Sequence, residues 1–72
     1  MKTEQEYRAL QTELAAIEQQ TGLYLADDNV DRENAQNPDD WDELYYCACM
    51  AAGQRAEEAG QDINVLIGRT IY

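Results

Sequence analysis

The chain has 72 residues, with fifteen Asp and Glu against five Lys and Arg, a net charge of −10 and no histidine. That length permits one domain over residues 1–72 with a thin core, because so small a domain buries only about 60% of the surface its unfolded chain exposes. The charge repels nucleic acid and anionic membrane surfaces, and the lack of histidine removes imidazole from any catalytic or metal site.

Residues 3–21 are predicted to form a helix. Thr3 and Glu6 have capping-box spacing. Tyr7, Leu10, Leu14 and Ile17 then step by three, four and three, an apolar heptad stripe with Glu4, Arg8, Gln11, Glu13, Glu18 and Gln19 on the other faces. Gly22 is placed to end the helix in a left-handed turn, with Leu23 folding back on it. In Leu23–Leu25 the apolar residues alternate with Tyr24, which fits an ordered loop or a short strand; the loop is favoured. Residues 26–37 are polar, acidic and aperiodic, and read as a loop, long for a small helical domain.

Asn37 and Pro38 mark the predicted start of a second long helix, since Asn is a preferred N-cap and Pro suits the first helical position. Asp39, Asp40, Asp42 and Glu43 would then meet the positive end of the helix dipole. This helix should run to about Ala59, with Gly60 stopping it. Trp41, Leu44, Tyr45, Ala48, Ala51, Ala52 and Arg55 share one side, and Tyr46, Cys49, Met50 and Gly53 widen the apolar surface. Its middle is therefore expected to be buried on more than one face. Gly53 costs a helix roughly 1 kcal/mol against Ala. A close crossing is the expected compensation, so Gly53→Leu should overpack it. Asp62 can cap a short third helix that puts Ile63, Leu66, Ile67 and Ile71 on one side. A strand through Ile63, Val65 and Ile67 would find only Leu23–Leu25 to pair with. The expected fold is all-α: two long antiparallel helices joined by an acidic loop, with a short C-terminal helix closing the open side.

No catalytic constellation is present. Cys47 and Cys49 lie two apart on a helix, so they point about 200° away from each other and cannot share a metal. They read as core residues. An EF-hand template set at Asp27 fits at Asp27, Asn29 and Asp31. It fails at the required glycine, which is Arg32, and at the bidentate glutamate, which is Pro38. Serine is absent, and the carboxylate pairs Asp39–Asp40 and Asp42–Glu43 lie where water reaches them. No enzyme, cofactor or metal site is expected.

The charge distribution points to binding. Eight of the fifteen acids lie between Asp27 and Glu43, where Arg32 is the one base, so this window holds −7 of the −10. Carboxylates held in a row imitate DNA phosphates, and a protein that binds nucleic acid through Lys and Arg would be occupied by them. Trp41 is either a core residue or an aromatic anchor ringed by acids, the pattern of an interface hot spot. Of the neighbouring tyrosines, one ring should face the core and the other an edge. The expected partner-binding set is Asp27, Asp28, Asp31, Glu33, Asp39, Asp40, Trp41, Asp42, Glu43 and Tyr46, and the expected partner is a basic protein surface, with no direct nucleic-acid or membrane binding. In size, acidity and lack of catalytic residues the chain resembles the small acidic inhibitors of phages and mobile elements, which block CRISPR, restriction, repair or regulatory complexes. The alternative is a homodimeric helical assembly module in which the acids only solvate. Replacing Asp27, Asp28, Asp31 and Glu33 with Asn or Gln is expected to leave folding intact, because like charges there repel; unfolding would make the loop a structural element and weaken the decoy reading. The start, "MKTEQEY", lacks the apolar core of a signal peptide, and a cytoplasmic location is expected.

Overall fold

The Thr3 hydroxyl accepts the Glu6 amide at 3.2 Å and opens helix α1 (Glu4–Thr21). Gly22, at φ 76°, closes it by donating its amide to the Glu18 carbonyl at 2.8 Å. The computed structural model describes residues 1–71, and three further helices follow: α2 (Asp28–Asn34), α3 (Trp41–Glu58) and α4 (Ile63–Ile67). No strand occurs among the described residues, and the all-α class with two long helices and a short C-terminal one is as expected.

The direction of the long helices differs from the expected antiparallel pair. The Lys2 amide donates to Asp42 at 2.9 Å, and the Tyr7 and Trp41 rings lie 5.7 Å apart, so the two N-termini meet. At the far end Glu18 holds the Leu25 amide at 2.6 Å, and Arg55 donates to the Leu25 carbonyl at 3.4 Å. α1 and α3 therefore run in the same sense. Antiparallel packing follows from a short connection, whereas residues 22–40 are long enough to return along a helix of about 27 Å.

That return is also not a plain loop. It contains α2, because Asp27 supplies an N-cap: its carboxylate accepts the Asn29 and Val30 amides at 3.0 and 3.1 Å. Acids in the first turn and Arg32 in the last suit the dipole of this short helix. The aperiodic pattern hid it because two turns are too few to display a period.

α3 starts three residues later than the Asn37–Pro38 signal suggests. Asn37 instead opens a turn, its carboxamide accepting the Asp39 amide and its carbonyl the Asp40 amide, with Pro38 at the position that a type I or II turn favours. Asp40 is the true cap, accepting the Asp42 and Glu43 amides at 3.0 and 3.3 Å. At the other end α3 stops at Glu58, with Ala59 as its cap and Gly60 following at φ 74°. Asp62 caps α4 through the Asn64 amide as expected, and Gly68 closes it with φ 81°.

The core sits between α1 and α3. The α1 stripe Tyr7, Leu10, Leu14 and Ile17 is buried as the spacing predicts, against Leu44, Tyr45, Ala48, Cys49, Ala52 and Ala56 of α3. Leu25, Ala35, Ile63 and Ile71 fill the edges, and Leu66 and Ile67 pack partly against them. Gly53 is not the close crossing that was expected: a Cβ there would meet only Ile63, at an ordinary 3.7 Å. The small residues that α3 does bury in the core are Ala48 and Ala52, two and zero per cent exposed. Gly53→Ala is thus expected to raise stability by about 0.5–1 kcal/mol through helix propensity, read as a higher urea midpoint; a lower midpoint would mean that the Ile63 contact is tighter than its distance implies.

Candidate functional site

The ten residues singled out from the sequence lie on α2, on the segments beside it and on the first turns of α3, and Asp27 is joined through Tyr24 to the Arg55 end of α3. Most of the carboxylates are engaged in holding these segments together. Asp27 caps α2 and also accepts the Tyr24 hydroxyl. Asp28 accepts the Tyr7 hydroxyl at 2.7 Å and pairs with Arg32 at 2.9 Å. Asp40 caps α3, and Asp42 takes the Lys2 amide. Glu43 reaches back to the turn, its two oxygens accepting the Gln36 and Asn37 amides, each at 2.9 Å.

Asp31 does not face a partner as its place in the acidic run predicts: it is two per cent exposed. Its carboxylate accepts the Gln11 amide group at 2.8 Å and lies 3.0 Å from the Tyr7 hydroxyl, which locks α2 onto α1. Burial pushes its pKa above the usual carboxylate range, while the Tyr7 hydrogen bond, followed by Arg32, holds Asp28 below it. Burial likewise raises the Tyr7 phenol, with Asp28 and Asp31 adding to the effect.

Trp41 is half-buried against the core. The guanidiniums of Arg8 and Arg32 both lie 5.5 Å from its ring centre, and Tyr7 flanks it. The ring thus joins α1, α2 and α3 at one point. Tyr45 is buried and Tyr46 is 42% exposed, so the pair divides as expected. Glu33 and Asp39 are exposed and make no side-chain hydrogen bond or ion pair among the described residues.

Every base has a partner inside the molecule. Lys2 pairs with Glu6 and lies over Tyr45; Arg8 pairs with Glu4 at 3.7 Å. Arg32 holds Asp28, and Arg69 holds Glu13 at 2.5 Å, which raises the arginine's own pKa further. Arg55 covers the Tyr24 ring at 4.5 Å. The acids outnumber these bases three to one, so the surplus charge faces outward.

The cysteines are free; Cys49 is buried, as a core residue should be, and Cys47 half-buried. Cys49 donates to the Ile71 carbonyl at 3.4 Å, and burial moves its thiol up to about 11, away from the reactive thiolate. Among the described residues no group of three or more His, Cys, Asp or Glu is arranged to hold a metal ion, and no helix is long and apolar enough to cross a membrane.

Two residues that the sequence reading passed over matter here. Glu18 read as a surface residue of α1, yet its carboxylate takes the Leu25 and Ala26 amides at 2.6 and 2.5 Å and fixes the return of the chain. Gln11 read the same way. Nothing in the local pattern marks either one, because their partners lie seven to twenty residues away. Comparison with family models, curated proteins and solved structures gives no match.

Proposed function

We propose that this is a small non-catalytic binding protein that presents carboxylates to a basic surface of a protein partner, of the kind that nucleic-acid-binding proteins carry. The observation supporting this reading is the internal use of all five bases: what remains for the outside is carboxylate. Acids anchored by hydrogen bonds, such as Asp40 and Asp42, have already lost their freedom, so a partner meets a pattern already set and less ordering entropy is lost on binding. An inhibitor of phage or mobile-element type, acting on a CRISPR, restriction or regulatory complex inside the cell, is the setting that this chemistry suits. The assembly alternative needs apolar stripes left open for a second copy, whereas the α1 stripe and the small residues of α3 are buried within one chain.

Glu33 and Asp39 test the reading because they carry charge without holding the fold. Glu33→Gln with Asp39→Asn is expected to leave the circular dichroism spectrum and the melting temperature unchanged. Association with a purified basic partner, captured at low salt and released at roughly 0.5 M, should weaken roughly tenfold. Capture that resists salt, or that ignores both substitutions, would sink the charge-led reading.

A further inference from the structure

Asp31 is the buried residue of α2, a helix of seven residues that is too short to hold itself together in water. The hold of α2 on α1 runs through Asp28 and Asp31, and that pair is short of one hydrogen. The Tyr7 oxygen lies 2.7 Å from Asp28 Oδ1 and 3.0 Å from Asp31 Oδ2. The phenol has one hydrogen, and the shorter contact takes it. Gln11 Nε2 donates to the same Asp31 oxygen at 2.8 Å but puts no hydrogen on the Tyr7 side. With both carboxylates ionised, Asp31 and Tyr7 would face each other oxygen to oxygen in a buried site, where an unmade hydrogen bond is costly. A hydrogen on Asp31 completes the row: Asp31 donates to Tyr7, Tyr7 donates to Asp28, and Arg32 pairs with Asp28 at 2.9 Å.

We propose that Asp31 is held protonated in the folded protein and that this proton fastens α2 to α1, a latch that loosens as the pH rises while the core between α1 and α3 stays closed. The surrounding charges favour this division. Arg32 and, from α1, Arg8 act on Asp28, so the negative charge rests there. On its own helix Asp31 faces Asp28, which disfavours a second charge. From α3 it faces Arg55, which favours the anion, and the thiols of Cys47 and Cys49. Arg55 is also engaged by the Leu25 carbonyl and the Tyr24 ring. Burial is the largest influence and lifts Asp31 above the usual carboxylate range, against Tyr7, Gln11 and Arg55. A group raised in this way supports the fold in acid and ceases to as the pH passes its folded-state value. The full formal charge of residues 27–43 is then reached only when the latch lets go. The device needs no partner, so it stands or falls apart from the charge-led reading.

Carbon NMR of the intact labelled chain reads the proton directly. The Asp31 carboxyl signal should titrate above the usual carboxylate range, and the Gln11 side-chain amide signals should move with it. Hydrogen exchange reads the latch. Corrected for the intrinsic rate, protection of the amides of residues 31–35 should fall at least about threefold between about pH 4 and 7, while that of Leu14 and Ala52 in the core holds. In Asp31→Asn the carboxamide carries its hydrogens at every pH, with the Gln11 carboxamide turned over to accept one of them. The α2 protection of that variant should stay level over the same range. An Asp31 signal that titrates within or below the usual range overturns the proposal, and it does so on the parent chain, whether or not the variant folds. Protection lost equally from α1, α2 and α3, or a pH slope that survives in Asp31→Asn, also overturns it.

Discussion

Tyr7→Phe is expected to lower stability by about 2–3 kcal/mol, although it removes a single oxygen. The Tyr7 hydroxyl has one proton and two carboxylates beside it, Asp28 at 2.7 Å and Asp31 at 3.0 Å. Asp28 keeps Arg32 when the hydroxyl is lost, whereas buried Asp31 keeps only Gln11. A buried carboxylate short of a donor costs far more than a surface one. In a domain of this size the whole stability is about 4–11 kcal/mol, and the melting temperature should fall by roughly 10 °C or more. A drop of only a degree or two would show that water replaces the hydroxyl. The same network has a pH signature. Because the folded-state pKa of Asp31 is raised, its contribution is most favourable in acid and fades as pH rises from 3.8 through the raised value. Asp28 acts in the opposite sense, its contribution being lost as pH falls. Asp31→Asn should therefore gain on the parent as pH climbs from about 4 to 7, read from urea midpoints at several pH values. A constant difference would refute the buried-charge account.

The second large effect is expected at Ala52. Its side chain is fully buried in the core, on the same face of α3 as buried Ala48 and Ala56. Ala52→Leu adds three carbons with nowhere to go and should cost about 1–3 kcal/mol. The contrast with Gly53→Ala, one residue on and expected to stabilise, makes the pair informative. Chemical denaturation of both variants reads out which face of α3 is the core. If Ala52→Leu is neutral, the interface adapts by sliding, and the packing around Ala52 is looser than its burial implies.

Much of this is legible in the sequence. The Thr3 cap, the Gly22 stop and the Asp62 cap rest on interactions within a few residues, and the α1 stripe shows in its own period, all of which local pattern records. α2 leaves no such trace, because two helical turns carry no visible period. The α3 start is not marked either, because Asn37 and Pro38 serve a turn as readily as a helix. The direction of the long helices was out of reach, since the contacts that fix it join Lys2 to Asp42 and Leu25 to Arg55. The acids of residues 27–43 were seen as one surface feature, and the structure separates them. Asp27 and Asp40 are caps, Asp31 is buried, and Asp28, Asp42 and Glu43 tie segments together. Glu33 and Asp39 remain without such a role. The expectation that Asp27, Asp28, Asp31 and Glu33 can all be neutralised without harm therefore survives only at Glu33.

The parallel setting of α1 and α3 also governs how the chain finds its shape. An antiparallel pair nucleates like a hairpin, with a short segment to close and neighbours close in sequence. Here the long helices cannot meet until the whole stretch between them has turned back, and the ties that fasten the fold join Lys2 to Asp42 and Glu13 to Arg69. Closing long segments before any contact rewards them slows the search. This chain should accordingly refold more slowly than up-and-down helical bundles of its length, with α1 formed early and its docking onto α3 as the barrier.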